Sequence, residues 1–180
     1  DAVVCEGFEA GGHNGREETT TFTLIPMVKE KLTIPVIAAG GIATGRGMLA
    51  AMVLGADAVQ IGSRFVASNE SSAHINFKNE VVKTQDGDTQ LTLKELAPVR
   101  LIKNKFFNEL QELYQHNPTA EQLKDKLGRA RAKKGMFEGD LENGELEIGQ
   151  IAGLIHEIKP ADTIVKEIID EFNLVKNSFC

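Results

Sequence analysis

Pro35-Val-Ile-Ala-Ala-Gly-Gly-Ile42 is the stretch on which the fold turns. Its apolar run from Pro35 to Ala39 is continuous rather than alternating, which predicts a strand buried on both faces, and the glycine pair behind it predicts a tight turn. Two further runs, Ala2 to Cys5 and Ala58 to Ile61, have the same character and are also followed by glycine. Between the first two strands Phe22, Ile25, Val28 and Leu32 recur at helical spacing. Gly47 to Leu54 predicts a short, almost wholly apolar helix ended by Gly55. The order β-α-β-α-β with apolar strands implies a parallel sheet covered by crossover helices.

A doubly wound sheet and a barrel both accommodate three such strands, and periodicity does not separate them. The turns favour the barrel, because barrel enzymes commonly place a phosphate site after strands seven and eight. The expected fold class is therefore α/β, the C-terminal part of a TIM (β/α)8 barrel comprising about its last three strands. Asp1 leads straight into a strand without an initiator Met, so the chain reads as a fragment with about five strands upstream. Residues 1–68 are expected to carry strands 6 to 8, and residues 69–180 a mostly helical extension packing back on the barrel.

In that extension Phe106, Leu110, Leu113 and Tyr114 form one apolar stripe. Leu123, Leu127 and Ala130 form a second, and Ile164, Val165, Ile168, Ile169 and Phe172 a third. Thr119 with Gln122 fits a capping box, and Pro160 marks the start of the last helix. Gly135 to Gly149 is rich in Gly and acidic residues and reads as a long loop or short hairpin. Gln150 to Leu154 is expected to pack the extension against the barrel.

The composition narrows the function classes. A net charge of -6, from 20 basic and 26 acidic residues without a basic face, gives no electrostatic footprint for nucleic acid. No apolar run approaches the roughly 18 residues of a membrane span, and no secretory signal opens the chain. The expected setting is cytoplasmic, with Cys5 and Cys180 reduced and unpaired. The expected partner is a small-molecule substrate, with neither nucleic acid nor membrane, and homodimerisation is left open.

The chemistry is expected at the strand ends. Glu6-Gly-Phe-Glu-Ala-Gly-Gly-His-Asn-Gly15 follows the first strand, where barrel enzymes place catalytic loops. Gly11, Gly12 and Gly15 let backbone approach a flat ligand and leave His13 as the obvious titratable group. Gly40 and Gly41 after the second strand, and Gln60-Ile-Gly62-Ser63-Arg64 after the third, together predict a phosphate cradle of backbone N–H groups and a hydroxyl. Arg64 either neutralises the phosphate or closes a surface ion pair. The other histidines look structural: Glu70 and His74, four apart on a predicted helix, read as a solvated pair rather than metal ligands, and no metal site is expected. The basic run Arg129, Arg131, Lys133 and Lys134 reads as a solvated face.

These motifs, with Pro98-Val-Arg100, Gly139-Asp140 and Gly149-Gln-Ile-Ala-Gly-Leu154, resemble in order the superfamily of nitronate monooxygenases and type II enoyl-ACP reductases over nearly the whole chain. The resemblance implies a TIM barrel that binds FMN non-covalently, with His13 as the catalytic residue over the flavin. It maps flavin-phosphate contacts onto Gly40, Gly41, Gly62 and Ser63, and places Glu6, Gly11 and Gly12 nearer the ribityl chain or ring. Gln60, which opens the last turn, is counted among the cofactor-binding residues. Ser63 stands where relatives often carry Thr, which keeps the hydroxyl. The implied activity is oxidation of alkyl nitronates with oxygen to carbonyl compounds and nitrite. The alternative is NAD(P)H-dependent reduction of an enoyl thioester on acyl carrier protein, which a basic rim at Arg129 to Lys134 could receive. The remaining alternative is a non-catalytic or phosphate-binding barrel fragment.

Overall fold

A computed structural model describes residues 1–178; Cys180 lies outside the described residues. The three expected strands form one parallel sheet, β1 (Val3–Glu6), β3 (Val36–Ala39) and β4 (Ala58–Gln60), in the order β1-β3-β4. Helix α1 (Thr21–Lys31) crosses from β1 to β3, and α2 (Gly45–Val53) from β3 to β4. Both helices cover the same side of the sheet. Ile25, Val36, Ala38, Ile42, Ala51 and Ala56 are buried together there, with Cys5 a buried free thiol among them. Phe22 departs from the expected stripe: it is 69% exposed, and Leu24 packs on the core beside Ile25 and Val28. Gly55 closes α2 at φ 111, a left-handed turn that favours glycine.

A second sheet lies beyond this unit and was not anticipated. Strand β2 (Gly12–His13) pairs antiparallel with β6 (Val99–Ile102), which pairs antiparallel with β5 (Thr89–Thr92). The remainder is helical: α3 (Ser63–Val66), α4 (Ile75–Lys83), α5 (Lys105–Tyr114), α6 (Ala120–Leu127), α7 (Arg131–Met136), a 3-10 turn at Gln150–Leu154, and α8 (Ala161–Ser178). Phe106, Phe107 and Leu110 of α5 meet Leu123 of α6 and Leu101 of β6 in one buried cluster.

The capping box at Thr119 is present in both directions, with the Gln122 carboxamide accepting from the Thr119 N–H at 2.8 Å. Ala130 is not part of the α6 stripe; it sits in the left-handed region at φ 55, before α7. Gly135 belongs to α7 rather than to the loop that follows. In α8 the buried positions are Ile164, Ile168 and Val175, while Val165 and Ile169 are 50% and 42% exposed. No helix among the described residues is long and apolar enough to cross a membrane.

Candidate functional site

Parallel register brings the strand ends into one row. Glu6 pairs with Ala39, and Ala39 with Gln60, so the segments following β1, β3 and β4 leave the same edge of the sheet side by side. A cleft of about 210 Å³ opens at this edge. Glu6, Gly11, Gly12, Gly40, Gly41, Gln60, Gly62 and Ser63 all line it. Met136, Glu147, Ile148 and Ile151 close it from the far half of the chain. Ile151 gives the 3-10 turn a share in the cleft as well as its packing role against α3 and α4.

Backbone geometry explains why glycine stands at these positions. Gly40 and Gly41 have φ of 87 and 71, and a Cβ on Gly40 would lie 2.8 Å from the Gly7 carbonyl. A Cβ on Gly11 would fall 2.4 Å from the Ile148 carbonyl carbon, so the loop and the Ile148–Gly149 backbone touch directly. Gly62 differs: a Cβ there meets nothing within 4 Å, which leaves open room on the cleft side. The N–H groups of Gly40, Gly41, Gly62 and Ser63 find no backbone acceptor among the described residues. They are therefore available to an anionic oxygen at the strand ends. The Ser63 hydroxyl accepts from the Gly149 N–H at 3.0 Å, tying the last turn to the opposite wall.

The loop that carries His13 is clamped at several points. The Glu9 carboxylate accepts from the Thr21 N–H at 2.9 Å, anchoring the loop to the start of α1. Arg100, 1% exposed, donates from Nη2 to the Phe8 carbonyl at 3.0 Å and lays its guanidinium 4.5 Å from the Phe8 ring centroid. Asn14 donates from its backbone to the Pro98 carbonyl at 2.9 Å, and Arg16 from Nη2 to the Leu96 carbonyl at 3.1 Å. β6 and the turn before it thus hold the glycine loop on one side. His13 itself is exposed on β2, one residue past Gly12, and is not among the residues that line the cleft.

Two carboxyls stand out that the sequence did not flag. Glu147 lines the cleft, and its Oε2 lies 2.6 Å from where a Gly12 Cβ would be, so a glycine is what admits it. Burial raises its pKa, opposed by the nearby His13 charge. Glu145, 7% exposed, is pushed up to about 7 by burial and by the Glu147 charge, against the pull of Arg131. Glu6 is also raised by burial. Nothing in Gly144-Glu-Leu-Glu-Ile148 announces this: an alternating acidic and apolar run reads as a solvated edge until the fold lays it against Gly12.

Several other expected residues take different roles. Arg64 neither points into the phosphate cradle nor pairs on the surface; it is 8% exposed, lines a separate cleft with His156 and Glu167, and donates to the Glu157 carbonyl at 3.2 Å. Glu70 and His74 do not share a helix: His74 caps α4 through Nδ1, and Glu70 accepts from the Ala161 N–H at 2.9 Å at the start of α8. The basic run is mostly the solvated face expected of it, with Arg129, Lys133 and Lys134 exposed and Arg131 half-buried. Arg131 donates to the carbonyls of Lys126, Leu127 and Asn143, while Lys133 and Lys134 pair with Glu138 and Asp140.

The chain is similar in sequence and fold to known proteins. The chain is 44% identical to FabK from Thermotoga maritima with a TM-score of 0.92, covering 99% of this chain and 56% of that one. It superposes on the nitroalkane oxidase from Streptomyces ansochromogenes with a TM-score of 0.82 at 30% identity, over 100% of this chain and 54% of that one. A probable nitronate monooxygenase of Staphylococcus aureus is 34% identical over 97% of this chain and 51% of its own length. The chain therefore spans about half the length of the curated relatives it matches. The family model for nitronate monooxygenase matches residues 1–171, and the chain belongs to the nitronate monooxygenase family.

Proposed function

We propose that the cleft at the strand ends binds FMN and that the whole protein is an FMN-dependent oxidoreductase acting on alkyl nitro compounds or their nitronates. The observation that carries this reading is the convergence of Glu6, Gly11, Gly12, Gly40, Gly41, Gln60, Gly62 and Ser63 on one cleft. The residues fit the group on structural grounds. Four backbone N–H groups lack backbone acceptors, and Gly62 leaves room where any side chain would intrude. Gly40, Gly41, Gly62 and Ser63 would hold the phosphate, and Glu6, Gly11, Gly12 and Gln60 the remainder of the cofactor.

The flavin supplies the electron transfer when bound. His13 then either takes the proton from the carbon of a neutral nitroalkane, as base, or balances the charge of a nitronate that has already lost it. The clamp of Arg100 and Glu9 on the loop holds the His13 backbone for that task. Apolar Met136, Ile148 and Ile151 give the cleft an apolar wall opposite the strand ends. In this reading the chain supplies the C-terminal strands of a barrel, residues 1–68, with residues 69–180 closing over the cleft.

The likeness to FabK, at 44% identity, supports a second reading: reduction of an enoyl thioester, with NAD(P)H as donor and acyl carrier protein as partner. Anaerobic addition of propyl-2-nitronate or NAD(P)H to the full-length protein separates the two. Loss of flavin absorbance with nitronate, followed by nitrite on admitting oxygen, is the expected result. Bleaching by NAD(P)H alone, with turnover of a crotonyl thioester, overturns it in favour of the reductase.

A further inference from the structure

Arg64 is a buried charge without a full set of partners. It is 8% exposed, and only its Nη1 has acceptors, the Glu157 carbonyl at 3.2 Å and the Ala67 carbonyl at 3.4 Å. Among the described residues Nε and Nη2 have no acceptor, and no carboxylate forms an ion pair with the guanidinium. That free edge presents two parallel N–H groups, a fork that matches the two oxygens of a carboxylate. Arg64 lines a cleft of about 170 Å³ between Ala43–Thr44, at the start of α2, and helix α8. The cleft shares no lining residue with the one at the strand ends. Ile164 and Ile168 give it an apolar surface, and Glu157, Glu167 and Glu171 bring negative charge. Glu171 is matched: it accepts from the Gly45 N–H at 2.7 Å and pairs with Arg46 Nε at 3.3 Å. Glu157 and Glu167 share one cation, since Lys159 Nζ lies 2.7 Å from each, so one negative charge is left over between them. Of the two, Glu167 acts more strongly on the Arg64 charge, although they do not touch.

We propose that this second cleft binds a small zwitterion, an α-amino acid with an apolar side chain: its carboxylate on the Nε–Nη2 edge of Arg64, its ammonium toward Glu167, and its side chain against Ile164 and Ile168. A simple anion gains the Arg64 fork but meets the surplus carboxylate. A simple amine gains the carboxylate but leaves the buried guanidinium unpaired, which is costly. A molecule with both charges side by side spans the gap between Arg64 and Glu167 and satisfies each. The site stands apart from the flavin reading and does not depend on it.

The test titrates leucine calorimetrically into the full-length protein, beside isocaproate, which lacks the amino group, and isoamylamine, which lacks the carboxylate. Leucine gives a saturable heat, and each of the other two binds roughly tenfold or more weakly, as loss of one charged hydrogen-bonding group entails. Glu167→Gln alters a half-exposed side chain, so the fold survives, and it removes the preference for leucine over isocaproate. Arg64→Lys keeps the charge without the fork; it weakens leucine and isocaproate alike and leaves the amine unchanged. Should Arg64→Lys fail to fold, Glu167→Gln decides alone. No saturable heat with millimolar leucine, or isocaproate binding as tightly as leucine, overturns the proposal. So does a leucine affinity that Glu167→Gln leaves unchanged, which would put the ligand elsewhere on the protein.

Discussion

Gly62 and His13 test different parts of the site. Gly62 sits at φ -101, an ordinary angle for any residue, and its side-chain direction is empty. Gly62→Leu should therefore fold with an unchanged melting temperature while FMN affinity falls by tenfold or more (~1.4 kcal/mol), measured by flavin fluorescence quenching. His13→Ala should retain the flavin and lose roughly 100- to 10,000-fold in turnover, the range for removing a general acid–base group; unchanged turnover would take His13 out of the chemistry. Glu145 bears on stability. Its folded pKa of about 7 lies above the value of 4.5 for a free carboxyl, so the folded state keeps the proton over that interval. Its contribution is full below about 4.5 and is lost as pH rises through about 7. Glu145→Gln should accordingly gain roughly 2 to 3 kcal/mol over the wild type at pH 8 and little at pH 4 in urea unfolding followed by circular dichroism. The glycine loop and both turns were legible because glycine and a lone histidine leave a local signature. Glu147 and Arg100 were not, because their partners Gly12 and Phe8 are far away in the chain and only folding joins them.

At the scale of elements, local rules read well where one element explains itself. Thr119 and Gln122 cap α6 as their spacing requires, and Thr119→Ala should cost about 1 kcal/mol, seen as a lower urea midpoint with an unchanged slope. The β-α-β-α-β unit was legible because its strands are continuous apolar runs. β5 and β6 escaped notice because Thr89-Gln-Leu-Thr92 is short and mostly polar, while Val99-Arg-Leu-Ile102 is buried at every position and lacks alternation. An arginine in the middle of β6 argues against a buried strand until its guanidinium is seen against the Phe8 carbonyl and ring. The α8 stripe was read too wide: Ile164 and Ile168 are buried as expected, but its flank is exposed. Glu171, which accepts from the Gly45 N–H at 2.7 Å, fixes the side turned to α2, and Val165 and Ile169 rotate outward.

For the molecule as a whole, helices α1 and α2 cover one side of the parallel sheet among the described residues. Cys5 is buried against α1 and α2, whereas Val4, on the opposite face of β1, is 47% exposed. A barrel completed by the rest of the protein would bury that face. Val4→Asp in the full-length protein is then expected to cost several kcal/mol, against less than about 0.5 kcal/mol for a surface position. The β/α order could be read from sequence, but the pairing of the His13 loop with β6 could not, since it joins segments that no periodicity connects. The most direct test of the central claim is the visible spectrum and FMN stoichiometry of the purified full-length protein. The account predicts a yellow protein with about one FMN per chain, released on denaturation and taken up again on refolding with added FMN. A colourless protein that binds no added FMN would contradict it.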